Sequence, residues 1–464
     1  MPIRQKLNER IKLISQEEDH LLFQIDGTKE MRFFTGNQKF REKLLNFVNN
    51  GTLSGIIEQT ELDDLNKIRA FQFFENLKEN NFIDYHIELK NELAIINPKS
   101  REFRKKIEDI DPSEIDEGPY VLSRFAYLCK ETDRFRLDSP NAHFCVLFTY
   151  NLLLQLFSLF NGKITLSDLK QTFKSSEQEV TFLLILLIQG GYIHTLHYKE
   201  PEHLSTWEFH DLLFHSTSRL GQSIENAHFG ATYRFRDTMV PPPPEFKEVV
   251  DEHSIILQKP NMEELQTKDH SFSRVLENRR SLRNYDKTNI ITMEQLAYFL
   301  YRSVSVRQVI SAPMQDAVLR PYPSAGAIHE IEFYIVVASC SGLSSDIYYY
   351  HSLKHILEKL NVQDMYLQKI IKNACTMLGS DEKPQILIIL TSRFQKIAWK
   401  YEKIAYRSTL LSVGAALQTM SLVATAMNLG SCILGTGDSN LFAEAINLDP
   451  FKEGAVGEFI LGTI

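Results

Sequence analysis

Arg279-Arg280-Ser281-Leu282-Arg283, then Pro323-Ser324-Ala325-Gly326-Ala327, then Lys400-Tyr401 are the three stretches that set the reading of the C-terminal half of this chain. In an extended or loop segment side chains repeat every two residues, so Arg279, Ser281 and Arg283 can point together. Guanidinium forks of that kind suit a phosphate. The small residues of the second stretch fit a cradle for a flat ring, because Ala and Gly let the backbone come close. The third stretch offers a site for proton chemistry.

No dinucleotide fingerprint competes for the phosphate. Neither G-x-G-x-x-G nor G-x-x-x-x-G-K-[ST] occurs in the chain. Gly435-Thr436-Gly437 comes nearest, but it runs on into Asp438-Ser439-Asn440 without a third glycine and reads as a tight turn.

The 464 residues, 43% of them hydrophobic, can fill several cores, and the length suits about three domains. A net charge of −8 and a pI near 6.0 argue against nucleic acid as a partner, whose affinity rests on clustered Lys and Arg. The longest wholly apolar run, Phe182–Ile188, falls well short of the roughly 20 residues that cross a bilayer. The N-terminus carries charges where a signal peptide is apolar, so the expectation is a cytoplasmic protein without membrane contact. Cys129, Cys145, Cys340, Cys375 and Cys432 show no C-x-x-C spacing and read as reduced, mostly buried thiols.

The N-terminal half contains an echo. One copy reads Leu44-Leu45, Asn50-Gly51-Thr52-Leu53-Ser54, Leu77 and Phe82-Ile83. The other reads Leu152-Leu153-Leu154, Asn161-Gly162, Thr165-Leu166-Ser167-Asp168, Leu187 and Tyr192-Ile193. Each predicts helix, turn, short helix, longer helix, then a strand from the aromatic-Ile pair, with alternating segments such as Leu21 to Phe34 forming a hairpin. That is a winged-helix pattern. The basic stretch Arg101 to Lys106 and the acidic block through Glu117 suit a solvated linker, and Pro241-Pro242-Pro243-Pro244 must be stiff and extended. The domain boundaries that follow are 1–100, 118–205, a linker over 206–255, and 256–464.

The last domain mixes helix and strand, an α+β class. Thr292-x-x-Gln295 predicts a capping box opening a helix Met293 to Tyr301, and Ile331 to Ser339 and Gln385 to Thr391 predict strands. Arg407 to Leu429 is the strongest helix. It is apolar nearly all round, with Gly430 placed to cap its end, and predicts deep burial and a large subunit interface.

Residues from about 255 onward resemble the flavin-dependent nitroreductase superfamily, in its branch of azoline oxidases that act on ribosomal peptides. The resemblance is carried by Arg-Arg-Ser-Leu-Arg (279–283), Thr-Met-Glu-Gln-Leu-Ala-Tyr-Phe-Leu (292–300), Arg-Pro-Tyr-Pro-Ser-Ala-Gly-Ala-Ile-His (320–329), Lys-Tyr (400–401), and Gly414 with Gln418. It implies an antiparallel-type sheet flanked by helices, and FMN at the interface of a homodimer. Arg279, Ser281 and Arg283 would hold the phosphate and ribityl chain. Pro323, Ser324, Ala325 and Gly326 would lie along the ring, with Leu434, Gly435 and Thr436 closing over it. Many such proteins add a basic C-terminal extension where this chain reads Phe459-Ile-Leu-Gly-Thr-Ile464, so Arg280 or a residue from elsewhere is expected to complete the clamp. The paired N-terminal modules resemble precursor-peptide recognition domains, which add a leader strand to a sheet edge. The whole arrangement resembles the stand-alone oxidases of cyanobactin biosynthesis.

Turning an azoline, thiazoline above all, into an azole removes a proton from carbon and a hydride to flavin N5, and molecular oxygen would then reoxidise the flavin. The expected base is Tyr401, its phenol acidified by nearby Lys400 or another cation; Lys400 could alternatively serve as base, or orient the peptide carbonyl and stabilise developing negative charge. Adjacent helical residues point about 100° apart, so the pair converges only if the backbone bends there. Blander readings stand beside these. The arginines could cap the preceding helix, Pro-Ser-Ala-Gly could be a simple turn, and Lys400-Tyr401 could be a surface Lys beside a half-buried Tyr.

His194, His197, His203, His210 and His215 lack completing carboxylates or cysteines, so no metal is expected. Ser324 with His329 lacks a nucleophile elbow. Two rival functions remain. One is an NAD(P)H-dependent nitro or quinone reductase. The other is a winged-helix regulator with a flavin-sensing domain, which the segment Ser175 to Ile188, with its glutamates and no Lys or Arg, disfavours.

Overall fold

The computed structural model describes residues 4–16, 20–25, 29–35, 38–50, 64–89, 92–100, 103, 115–157, 160–218, 233, 235, 246–248, 254–379 and 383–464. The chain divides into two compact units, Met1–Ala227 and His228–Ile464. The charged stretch between the sequence repeats is described only at Phe103 and from Ile115 onward. Pro241 to Pro244 lie outside the described residues, as do Gly51 to Ser54 of the first repeat.

The first unit is built twice on one pattern. Strand Arg4–Leu7 leads into a meander of Ile11–Gln16, His20–Ile25 and Lys29–Phe34. Helices Gln38–Asn50 and Asp64–Glu79 follow, and strand Ile83–Leu89 returns antiparallel to Arg4–Leu7. Strand Tyr120–Leu122 leads in the same way into Tyr127–Glu131, Arg134–Asp138 and Phe144–Phe148. Helices Tyr150–Phe157, Leu166–Thr172 and Glu177–Gln189 follow, and strand Ile193–Thr195 returns antiparallel to Tyr120–Leu122.

The correspondence reaches single hydrogen bonds. The Phe82 amide donates to Leu77 O at 2.8 Å, and the Tyr192 amide to Leu187 O at 2.9 Å. Asn81 and Gly191 sit just before these residues at φ 54° and 69°. Each helix therefore ends in the same left-handed turn, which satisfies carbonyls that a helix end leaves unpaired. The next link repeats as well: Asn8 N donates to Phe82 O at 2.9 Å, and Ser123 N to Tyr192 O at 2.8 Å. The fixed Leu-to-aromatic spacing in the sequence is thus the spacing of a helix stop. In the second copy Thr165 and Asp168 form a capping box that starts the short helix.

The copies differ at one sheet edge. Phe144–Phe148 pairs with Glu92–Pro98, the strand continuing from Ile83–Leu89, and this makes one six-stranded sheet. Lys29–Phe34 holds the same place in the first copy, yet among the described residues no strand lies on its outer edge.

The second unit centres on a seven-stranded antiparallel sheet. Its order is Ile255–Ile256, Ile356–Lys359, Asp346–His351, Ile331–Val337, Ile386–Arg393, Glu453–Thr463 and Leu429–Leu434. Ile331–Val337 is buried at every residue because both sheet faces are covered. Phe333 and Ile335 pack with Ala416 and Met420 of helix Ala405–Ala426. Tyr334 and Val336 pack on the other side with Leu367 and Ile370 of helix Asp364–Leu378. The expected antiparallel sheet flanked by helices is present. The Thr292–Gln295 capping box also forms, and its helix runs from Met293 to Val304.

The long helix departs from expectation in two ways. It spans Ala405–Ala426, and the left-handed residue after it is Asn428, at φ 55°. Gly430 lies inside strand Leu429–Leu434, where a Cβ would strike the side chain of Ile464. It is a close-packing glycine of the sheet and not a helix cap. The helix is also not buried all round: Ser408, Ser412, Val413, Ala416 and Met420 face the core, while Leu410, Leu411, Gly414 and Gln418 are exposed in this chain. By length and composition alone it could cross a membrane, and here it packs one face on the sheet.

Candidate active site

Hairpin Gln308–Ile310 with Ala317–Leu319 delivers the chain to Tyr322, which is fully buried, and then to the loop Pro323–Glu330. Gly326, Ala327 and His329 in this loop have φ of 58°, 56° and 50°. For Ala and His the left-handed region costs about 1–2 kcal/mol each, so the surroundings must impose it. Ser324 Oγ accepts from the His329 amide at 3.1 Å and donates to Glu330 Oε2 at 3.0 Å. Lys396 Nζ donates to His329 O at 3.3 Å, and the Arg393 amide to Glu330 O at 3.1 Å. Ser412 of the long helix donates to Ser324 Oγ at 3.4 Å. With one donor and two acceptor positions in use, the Ser324 hydroxyl is fully engaged. It bonds the His329 backbone and not the ring, so the two are not a hydrolase pair.

Lys400 and Tyr401 meet this loop. Strand Ile386–Arg393 runs straight into helix Phe394–Lys400, and Tyr401 follows in an extended conformation at φ −114°, ψ 154°. The backbone therefore bends between the two residues, and both side chains reach the same glycine. A Cβ on Gly326 would stand 2.6 Å from the Tyr401 hydroxyl and 2.7 Å from Lys400 Nζ. Lys400 Nζ donates to Gly326 O at 3.4 Å, and it lies 6.0 Å from the ring centroid of Tyr233.

Burial raises the Tyr401 phenol above its ordinary value, with Tyr233 and Glu330 adding to the effect. Lys400 is not among the causes, and the phenol is displaced upward where the sequence led to an expectation of acidification. Burial, then Arg320 and Lys396, pushes the His329 ring down to about 3, so it is neutral.

The arginine stretch lies elsewhere on the same framework. Arg280 is used locally, donating to Glu277 O at 2.6 Å and Arg279 O at 3.0 Å, as a helix-end residue does. Arg279 is half-buried, while Ser281 and Arg283 are exposed. Neither Arg279 nor Arg283 has a carboxylate partner among the described residues. The Leu282 amide donates to Ser431 O at 2.8 Å and pins the segment beside strand Leu429–Leu434. Leu434 is buried at that strand's end; Gly435 and Thr436 are exposed, and a Cβ on Gly435 would meet nothing within 4 Å.

The predicted residues thus fall into two groups. Pro323 to Gly326 gather with Lys400 and Tyr401, and Arg279 to Arg283 lie beside strand Leu429–Leu434, which leads into Gly435 and Thr436. Helix Phe272–Asn278 and loop Ala325–Ala327 both pack on helix Ala405–Ala426, which links the groups. Among the described residues no hydrogen bond joins them directly, and Gln418 stands exposed on the helix between. A cavity of about 600 Å³ near Gly342, Tyr348 and Lys359 touches none of these residues.

The sequence reading missed Tyr233, Glu330, Lys396 and Ser412. Glu330 left a trace, as one of two carboxylates at the start of a largely apolar strand in His329-Glu330-Ile331-Glu332. Of the histidines, His194 stacks on Tyr198 at 4.0 Å between centroids, and no group of three or more His, Cys, Asp or Glu among the described residues could hold a metal.

Comparison with known proteins adds a family. Residues 276–463 match the Nitroreductase family and residues 120–224 match the cyanobactin oxidase ThcOx. MJ1384 of Methanocaldococcus jannaschii, named for the nitroreductases, is 24% identical over 199 residues, 42% of this chain and 91% of its own. The microcin B17-processing protein McbC of Escherichia coli is 28% identical over 188 residues, 39% of this chain and 64% of McbC. This chain therefore spans less than two thirds of McbC. Among solved structures, one from the E. coli microcin synthetase McbBCD complex with truncated pro-MccB17 bound aligns with 58% of this chain and 95% of that chain, at 21% identity and a TM-score of 0.34. A nitroreductase-type protein of Desulfovibrio desulfuricans in complex with FMN aligns with 42% of this chain and 86% of that chain, at 16% identity and a TM-score of 0.28. The chain carries a nitroreductase-family domain over residues 276–463 and a cyanobactin-oxidase segment over residues 120–224.

Proposed function

We propose that this protein is an FMN-dependent oxidase that converts azolines, thiazolines above all, in a ribosomally made precursor peptide to azoles. The observation that carries the proposal is the convergence of Lys400 Nζ and Tyr401 Oη on Gly326. Two proton-handling groups of different chemistry share one point at a loop whose backbone is held open by a glycine. One can receive the proton of the ring carbon while the other donates a hydrogen bond to the neighbouring peptide carbonyl.

The residues present fit FMN. Among the described residues Arg279 and Arg283 have no carboxylate partner and are available for its phosphate, Ser281 lies between them for the ribityl chain, and Gly435 has open space before it. Pro323 to Gly326 would lie along the ring through their backbone, since the Ser324 hydroxyl is already engaged. When bound, FMN would supply the hydride acceptor, with molecular oxygen as the final oxidant.

Two further parts of the proposal rest on surfaces. The exposed Tyr406, Leu410 and Leu411 of the long helix support a homodimer through that face. The edge of Lys29–Phe34, unpaired among the described residues, supports leader binding in the first N-terminal, winged-helix-like copy, because the second copy fills the matching edge with Glu92–Pro98.

The test is an absorption spectrum of the purified protein, then mass spectrometry of a thiazoline-containing precursor peptide. A yellow protein that removes two hydrogens per ring supports the reading. A colourless protein that refuses added FMN ends it, and anaerobic bleaching by NADH or NADPH without azoline oxidation would assign a reductase instead.

A further inference from the structure

Glu330 has no place in the reading so far. It is fully buried, a rare state for a carboxylate, and it opens strand Ile331–Val337, whose other residues are nearly all apolar. Oε2 accepts from Ser324, but among the described residues the buried Oε1 has no hydrogen-bond partner. A buried, half-satisfied carboxylate costs stability, so its presence here calls for a cause in what it faces.

Its neighbours supply one. Through Ser324 it holds a loop with three left-handed residues, and Ser324 is tied in turn to Ser412 of the long helix. The same loop carries Gly326, the meeting point of Lys400 and Tyr401. Nearby His329 is neutral; the cations that bear on it are Arg320 and Lys396, and its buried Nδ1 also has no partner among the described residues. We infer that Glu330 is a positioning residue of this site: its carboxylate clamps the Pro323–Gly326 loop through Ser324 and stands behind the loop on which Lys400 and Tyr401 meet.

The consequence is a division of labour between the adjacent pair. A negative charge near a phenol favours its neutral form, in line with the upward displacement of Tyr401 to which Glu330 contributes. Tyr401 then enters the reaction as a hydroxyl donor, and the proton-accepting part falls to Lys400. This division of roles rests on the oxidase reading; the clamp and the charge do not.

The test titrates the phenol directly, in full-length protein carrying tyrosine labelled with carbon-13 at Cζ. The Tyr401 resonance is assigned by its loss in Tyr401→Phe. Glu330→Gln keeps the volume and an acceptor for Ser324 but removes the charge. The expected result is a downward move of the Tyr401 titration midpoint. A midpoint equal to the parent's, or higher, overturns the inference.

A second measurement covers poor folding of that variant. Ser324→Ala strips the last partner from the carboxylate, so it should lower the thermal midpoint more in the parent than in a Glu330→Gln background. Equal losses in both backgrounds overturn the clamp. Neither measurement needs flavin turnover, so a protein that oxidises no azoline would sink the functional reading and leave this one standing.

Discussion

Tyr401 touches the place where Gly326 lacks a side chain: a Cβ there would lie 2.6 Å from the phenol oxygen. The relation explains why glycine stands at the turn of Pro323-Ser324-Ala325-Gly326. The position needs a left-handed φ of 58°, and it must also leave room for Lys400 Nζ. Gly326→Ala is therefore expected to fold with a loss of about 1–2 kcal/mol from backbone strain. Its turnover should fall roughly 100-fold, because Tyr401 and Lys400 are both pushed aside. Thermal denaturation and steady-state kinetics of the variant check the two parts separately.

Tyr401→Phe and Lys400→Ala test the chemistry itself. Each should keep the fold and the bound flavin while losing about 10²–10⁴ in kcat, the usual share of a positioned proton-transfer group. Parent-like turnover in both would remove the catalytic assignment.

The arginines make a different prediction. Arg279→Ala with Arg283→Ala should weaken FMN binding by about 10²–10⁴ in Kd, from two charge-assisted contacts of about 1.5–3 kcal/mol each. Arg280→Ala should do much less, since its guanidinium already caps the helix Phe272–Asn278. Flavin fluorescence titration of the purified proteins distinguishes the cases, and equal affinity in the double variant and the parent would rule out the clamp.

A pH dependence arises in the first unit. Burial lifts Asp84 from 3.8 to about 7, with only the Asn8 hydrogen bond and Arg10 opposing. Between these values the unfolded chain has released the proton and the folded chain keeps it. Stability contributed at this residue is therefore lost as pH rises from about 4 to 7 and is constant above that. Asp84→Asn should remove this slope and leave the variant the more stable of the two at pH 8. Denaturant unfolding of parent and variant at pH 5 and pH 8 measures it, and an unchanged slope would show that Asp84 ionises freely.

How much of this was legible beforehand depends on the range of the interaction concerned. The Leu77-to-Phe82 and Leu187-to-Tyr192 spacing was readable because a helix stop is a local event, set by a left-handed residue and a bond spanning five positions. The Thr292–Gln295 capping box was readable for the same reason. The end of the long helix was misplaced because Asn428 and Gly430 can both punctuate a chain. The packing of Ile464 and Tyr285 against Gly430 is a long-range fact.

The sequence by itself determined the α+β class, the repeat, and the order of arginine stretch, glycine loop and Lys-Tyr pair, since each rests on residue type and spacing along the chain. Only the tertiary structure decided that Lys400 and Tyr401 converge on Gly326, that burial displaces the Tyr401 phenol upward, and that Glu330 sits behind the loop through Ser324. Those outcomes depend on burial and on contacts between segments far apart in the chain, and a carboxylate's neighbours after folding cannot be read from its neighbours in sequence.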